Sequence, residues 1–194
     1  MREIIELSAV CIFTIPVLYT LFSIPAMLTL PPGIRPGLEE QTIEQAAGTL
    51  KSLNLPVLEL IQESRKLLVN RMQYCRRNSY DTFKTAFRRG YGYCVQQAYA
   101  LKFLLTELGF DAKVVQAHKN RFENGTIGGH AWVRINYNNR IIEIDPSDKN
   151  WQNEKMTFVP LTKITEFGFF YRILTLWGSA GVNAYRYYTT GKDE

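Results

Sequence analysis

The chain has 194 residues, 46% of them apolar, and a net charge of +5. That is enough for one sizeable core, and it excludes a disordered chain or a pair of large domains. Three cysteines (Cys11, Cys75, Cys94) and two histidines (His118, His130) are too few for a disulfide framework or a metal cluster, and no cofactor motif is present.

Leu7 to Leu30, "LSAVCIFTIPVLYTLFSIPAMLTL", holds no charged residue. As a helix of about 1.5 Å per residue it would span roughly 36 Å, enough for a hydrocarbon core of roughly 30 Å. Membrane helices tolerate kinks of the kind that Pro16 and Pro25 impose. The run is read as a single-pass membrane anchor. Its flanks, Arg2 against Glu3 and Glu6, argue against a cleaved signal and leave the orientation open. The alternative is a hairpin or helix buried in a soluble fold. "PPGIRPG" (Pro31 to Gly37) then breaks the chain. The expected organisation is residues 1–36 as hydrophobic segment and linker, and 37–194 as one domain. That domain divides into a helical part (37–90), a core (91–160) and an aromatic-rich segment (161–194).

Ile43, Ala46, Leu50 and Leu53 recur at helical spacing. Pro56 can open a second helix, with Val57, Leu60, Ile61, Leu67 and Leu68 as its apolar face. Phe83 and Phe87 mark a short third helix that Gly90 ends. From Ile61 to Gly90 the basic residues Arg65, Lys66, Arg71, Arg76, Arg77, Lys84, Arg88 and Arg89 face only Glu63 and Asp81. The segment reads as a solvated helical face, or as a patch for an acidic partner. No nucleic-acid motif accompanies it, so nucleic acid is not expected.

In "GYGYCVQQAYALKFLLTELGF", Cys94, Ala98, Leu101, Leu105 and Leu108 form one stripe of a helix, with Gly109 as its stop. Cys94 falls at the first turn. A bridge from it to Cys75 stays open at this stage. "DAKVVQAH" is a strand, "KNRFENGTIGG" a loop, and "HAWVRINY" and "RIIEID" are strands about the turn Asn138-Asn139. That turn sets a register: Tyr137 opposite Arg140, Asn136 opposite Ile141, Ile135 opposite Ile142, Arg134 opposite Glu143, Val133 opposite Ile144, Trp132 opposite Asp145. Ala131, Val133, Ile135, Ile142 and Ile144 then share a core face. His130, Trp132, Arg134, Glu143 and Asp145 share the other.

His130 and Asp145 are therefore diagonal neighbours on one face, within reach of each other. Gly128 and Gly129 free the backbone ahead of the histidine. The unpaired N–H groups and dipole of a helix N-terminus favour a thiolate there, and an adjacent imidazolium favours it further. Cys94 as nucleophile, His130 as base and Asp145 as orienter form the general arrangement of nucleophilic acyl transfer, with the N–H of Cys94 available to an oxyanion. Tyr93 and Trp132 are candidates to line the oxyanion or substrate site. His118 is the rival base, with no carboxylate placed beside it.

Taken together, "GYGYCVQQAYALKFLLTELGFDAKVV", "GGHAWVRI" and "IIEIDPSD" resemble the transglutaminase-like superfamily over Tyr91 to Asp148. The resemblance implies an α+β, papain-like core: a helix carrying the Cys, packed on an antiparallel sheet carrying His and Asp, with added N-terminal helices. It assigns Cys94, His130 and Asp145 the same three roles and requires no cofactor. It implies a cysteine enzyme that cleaves or transfers an amide or peptide acyl group through a thioester, with hydrolysis by a peptidase or amidase favoured. The expected partners are a peptide or protein substrate, acidic if the basic patch meets it, and a membrane through the N-terminal segment. Position 88, six before the Cys, holds Arg88 rather than the glutamine of papain, so no side-chain oxyanion donor is identified. The alternatives are a catalytically inactive, membrane-tethered binding module, or an arylamine N-acetyltransferase, whose Arg-Gly-Gly-x-Cys stretch "RRGYGYC" faintly resembles. From Thr157 to Tyr188 the chain is rich in aromatic residues, which fit either a helix on the core or a membrane interface.

Overall fold

The computed structural model of the chain describes residues 42–76, 78–148 and 155–168, with residues 14, 17–25, 172–173, 181, 184–185 and 188–189. Of the uncharged N-terminal run, residues 14 and 17–25 are helical, while the rest of it and the Pro/Gly break lie outside the described residues. No helix among the described residues is long and apolar enough to cross a membrane. Phe169, Phe170, Tyr171, Trp177 and Tyr187 also lie outside the described residues. The two ends of the chain meet where the Phe22 and Tyr188 rings lie 4.7 Å apart.

From residue 42 onward, three helices precede the central one. Helix α1 (Ile43–Ser52) opens on a reciprocal cap: Thr42 Oγ1 accepts from Gln45 N–H, and Gln45 Oε1 accepts from Thr42 N–H at 2.8 Å. Such a box satisfies two donors that a helix start leaves unpaired. Its buried stripe is Ile43, Ala46, Ala47 and Leu50; Leu53, expected on that stripe, lies past the last turn and is exposed. Helix α2 (Val57–Arg71) follows Pro56 as expected. Strand β1 (Gln73–Tyr74) leads to α3 (Phe83–Arg89), which Thr82 caps and which ends on Gly90 in the left-handed conformation, φ 80°. Strand β2 (Tyr91–Gly92) pairs in parallel with β1. Helix α4 (Cys94–Glu107) comes next.

Most of the basic run is committed within the protein. Arg71 donates to the last carbonyls of α3 at Phe87 and Arg88, Arg89 pairs with Asp81, and Lys84 pairs with Glu44. Arg65 is buried on α2 and turns toward the sheet.

The sheet runs β5 (Arg140–Ile144), β4 (Ile127–Tyr137), β3 (Asp111–Phe122), β6 (Phe158–Pro160), all antiparallel, with β7 (Thr165–Glu166) also on β3. Helices α1, α2 and α3 pack on α4, and β3 and β4 pack against it too. This is the expected α+β arrangement. Helix α4 is buried on more than the one expected stripe: Val95, Gln96, Gln97, Ala100 and Leu104 are buried beside Cys94, Ala98, Leu101 and Leu105. A helix enclosed by both layers hides nearly all its faces.

The β4–β5 register is the predicted one from Tyr137↔Arg140 to Val133↔Ile144, with Asn138 and Asn139 both at positive φ. Such a turn twists with its strands and holds the pairing without slippage. Strand β5 ends at Ile144, so the predicted Trp132–Asp145 rung is not a ladder pair. The expected loop at 119–129 is mostly strand. Strand β3 continues to Phe122, β4 begins at Ile127, and only residues 123–126 turn, with Gly125 at φ 80°. Pairing with the neighbours overrides the weak strand preference of "KNR", but at the cost of a register shift between Ala117 and Asn120.

Candidate active site

Cys94 is the first residue of α4, so its N–H has no intrahelical acceptor. The approach is tight. A Cβ on Gly92 would sit 2.9 Å from the Met72 side chain and 3.1 Å from Gln96 Cβ, which is why a glycine precedes the thiol by two positions. Cys75 Nα–H donates to the Gly92 carbonyl at 2.9 Å, yet Cys75 and Cys94 are both free thiols and no bridge joins them.

His130 comes from β4, opposite Ala117. Its Nε2 lies 2.8 Å from Asp145 Oδ2, with both side chains buried. Asp145 follows the last residue of β5. Its second oxygen, Oδ1, accepts from Ser147 N–H at 2.9 Å and from Ser147 Oγ–H at 2.7 Å. The "DPS" sequence thus closes a small turn that leaves one carboxylate oxygen for the imidazole. From the far side, Arg65 donates to the backbone carbonyls of Asp145 and Asp148.

Ser147 Oγ lies 3.5 Å from the same Nε2 of His130. The Cys94 thiol lines the same cleft as His130 and lies close enough to help raise its pKa. Aromatic rings enclose the imidazole: Phe158 at 4.9 Å, Phe122 at 5.6 Å and Trp132 at 6.3 Å between centroids. Burial among them lowers the His130 pKa, but the Asp145 charge and hydrogen bond and the Cys94 thiol outweigh it, and the value is raised to about 10. Burial raises the Asp145 pKa, yet the His130 charge and the hydrogen bonds from His130 and Ser147 leave it lowered.

A cleft open to solvent is lined by Cys94 and His130, with Tyr93, Gln116, His118 and Phe167 among its walls. Trp132 is not among them. It shares the His130 face, but that face is covered: the indole is fully buried with Val115, Ala117 and Phe158 and supports His130 from behind. His118 is exposed on the cleft wall, while the carboxylate belongs to His130. Ser147, Arg65, Phe122 and Phe158 were not foreseen. Only Ser147 left a signal, since a serine two residues after an aspartate is a common partner in such turns.

The core model of the transglutaminase-like superfamily matches residues 44–152, more than half of the sequence. The chain belongs to this superfamily. The match to the transglutaminase-like core starts well before Tyr91, in α1, and so takes in the N-terminal helices as well as strands β3 to β5 of the sheet. No curated protein matches significantly. Among solved structures, the chain is similar to the periplasmic domain of TgpA from Pseudomonas aeruginosa. With the form bound to ethylmercury it shares 19% identity at a TM-score of 0.44, over 62% of this chain and 47% of that one. A second structure of the same domain gives 17% identity and a TM-score of 0.45, over 66% and 47%. The chain spans about half the length of these structures.

The imidazole predicts a pH signature. A group whose pKa rises on folding stabilises the native state most below its unfolded value, and that contribution is lost as pH climbs through the folded value. For His130 the window runs from 6.5 to about 10. Denaturant unfolding should show stability falling across this window in the wild type, with a shallower fall in His130→Gln. Parallel slopes in the two proteins would mean that His130 is not held as a cation.

Proposed function

We propose that the chain is a cysteine-dependent acyl-transfer enzyme that cleaves or transfers an amide or peptide acyl group, with Cys94 as nucleophile, His130 as proton carrier and Asp145 as orienter. One observation supports this reading most: an imidazole bonded to a buried carboxylate lines the same cleft as a thiol at a helix start.

The Cys94 thiol passes its proton to His130, and the Asp145 carboxylate balances the imidazolium through Nε2–H. Cys94 Sγ attacks the acyl carbonyl. The S–C bond forms as the C=O electron pair moves onto oxygen. The N–H of Cys94, free at the start of α4, donates to that oxyanion. As the carbonyl re-forms, the C–N bond breaks and the leaving nitrogen takes the proton from His130. The product is a thioester on Cys94 and a neutral imidazole. Water, or an acceptor amine, then attacks the thioester and gives its proton to His130. The C–S bond breaks and Cys94 is free again. The peptide or amide substrate follows from this chemistry, since the leaving group is a nitrogen that must be protonated.

Competitive alkylation tests the reading. With iodoacetamide near neutral pH, Cys94 should react at least tenfold faster than Cys75, located by mass spectrometry of the folded protein. Asp145→Asn should slow Cys94 by about tenfold or more through loss of the imidazolium partner. Glu143→Gln, which removes the exposed-side pair with Arg134, should change it less than twofold. Equal rates at both thiols, or a larger effect from Glu143→Gln, would leave the site an inert pocket, as in a binding module.

The uncharged run from Leu7 to Leu30 supports a membrane anchor as part of the same proposal. The full chain should then sediment with membranes and need detergent for release, whereas full recovery in the supernatant without detergent would contradict an anchor.

A further inference from the structure

Gln116 lies on β3, and its backbone is paired on both sides, to Ala131 of β4 and Thr165 of β7. By strand alternation its side chain shares a face with Ala112 and Val114, which are in the core formed with α4. It is only 6% exposed. It also lines the cleft that holds Cys94 and His130. Among the described residues its amide has no hydrogen-bond partner, and it is not one of the fully enclosed unpaired groups, which belong to Ser79, Gln96, Gln97, Asn120 and Trp132, so it keeps contact with the solvent of the cleft. The other buried glutamines differ: Gln96 donates to the Asp81 carbonyl, and Gln97 donates to the carbonyls of Met72 and Gly92.

An amide that no protein group engages and that solvent reaches is available to a molecule entering the cleft. Its setting here is built rather than incidental. Just beyond it, β3 carries two residues, His118 and Lys119, against the single Gly129 of β4. The buried Asn120 fixes this bulge by donating to the Ala117 and Gly128 carbonyls at 3.0 and 3.1 Å. A bulge of this kind bends its strand and re-aims the side chains around it. Here it lies in the wall of the cleft that Gln116 and Cys94 both line.

We propose that Gln116 binds the acyl donor: its carboxamide hydrogen-bonds a neutral amide of the substrate next to the scissile carbonyl and seats that carbonyl against Cys94. A carboxamide offers two donors and an acceptor in one plane, which matches a peptide unit or a primary amide. It offers no charge, so this subsite favours an uncharged amide over a carboxylate. The inference rests on the acyl-transfer reading of Cys94.

The test uses two small alkylating probes. Iodoacetamide carries a carboxamide that can pair with Gln116, and allyl bromide carries no hydrogen-bonding group. The readout is the ratio of their rates at Cys94. In Gln116→Met, which keeps the size of the side chain and removes the amide, that ratio should fall about tenfold relative to wild type, the loss expected for one good hydrogen bond. Thermal stability should change little, because no hydrogen bond within the protein is lost. Gln116→Asn, which withdraws the amide by one methylene, should shift the ratio in the same direction. An unchanged ratio in both variants, or a lowered melting temperature or lost fold in Gln116→Met, would overturn the inference, since the amide would then serve the fold or nothing. Failure of the underlying reading looks different: Cys94 would react no faster than Cys75 with either probe, and both proposals would fall.

Discussion

A buried ion pair constrains everything around it. His130 and Asp145 are both hidden from water and 2.8 Å apart. Two charges so placed are tolerable only with their remaining hydrogen-bonding capacity met. The surrounding chain meets it. Ser147 saturates the second carboxylate oxygen, the Cys94 thiol lies on the same cleft and helps raise the imidazole pKa, and aromatic rings pack on the imidazole. Removing any one of these leaves a buried charge exposed to an unmatched neighbour.

That pair depends in turn on elements far from it in sequence. The Asn138-Asn139 turn sets the β4–β5 register and so brings Asp145 beside His130. The start of α4 sets the position of the thiol, and the glycine at 92 lets the chain enter the helix closely packed. Arg65, reaching across from α2 to two carbonyls of the Asp145 turn, ties the helical layer to the sheet at the point where the chemistry is proposed. The N-terminal helices are thus part of the site's scaffold, in keeping with a family match that begins at residue 44.

Much of this was legible in the sequence because it rests on local rules. Helix periodicity placed Cys94 at a helix start, Gly90 and Gly109 marked ends, and a two-residue turn with a strict period of two carried the register and the shared face of His130 and Asp145. What escaped notice depends on non-local pairing. Nothing in "KNRFENG" announces a strand. It becomes one because β4 and β6 lie beside it, and only then do Phe122 and Phe158 reach His130. Trp132 looked like a lining residue from its place next to the histidine, but the side of the sheet it faces is closed by Phe158. Arg65 looked like one more surface charge, since a helix pattern does not show which turn lies over a distant loop. Gln116 was invisible for the same reason: its significance is the lack of a partner, which no sequence displays.

The central claim is that His130 is held as a cation by the Asp145 carboxylate, on the cleft that the Cys94 thiol also lines. Nitrogen-15 NMR of the imidazoles reads this directly, and with two histidines in the chain a His118→Gln variant suffices for assignment. At pH 8 both ring nitrogens of His130 should be protonated, and they should titrate only near the raised value of about 10. A neutral ring at pH 8, titrating near the ordinary value of 6.5, would contradict the account.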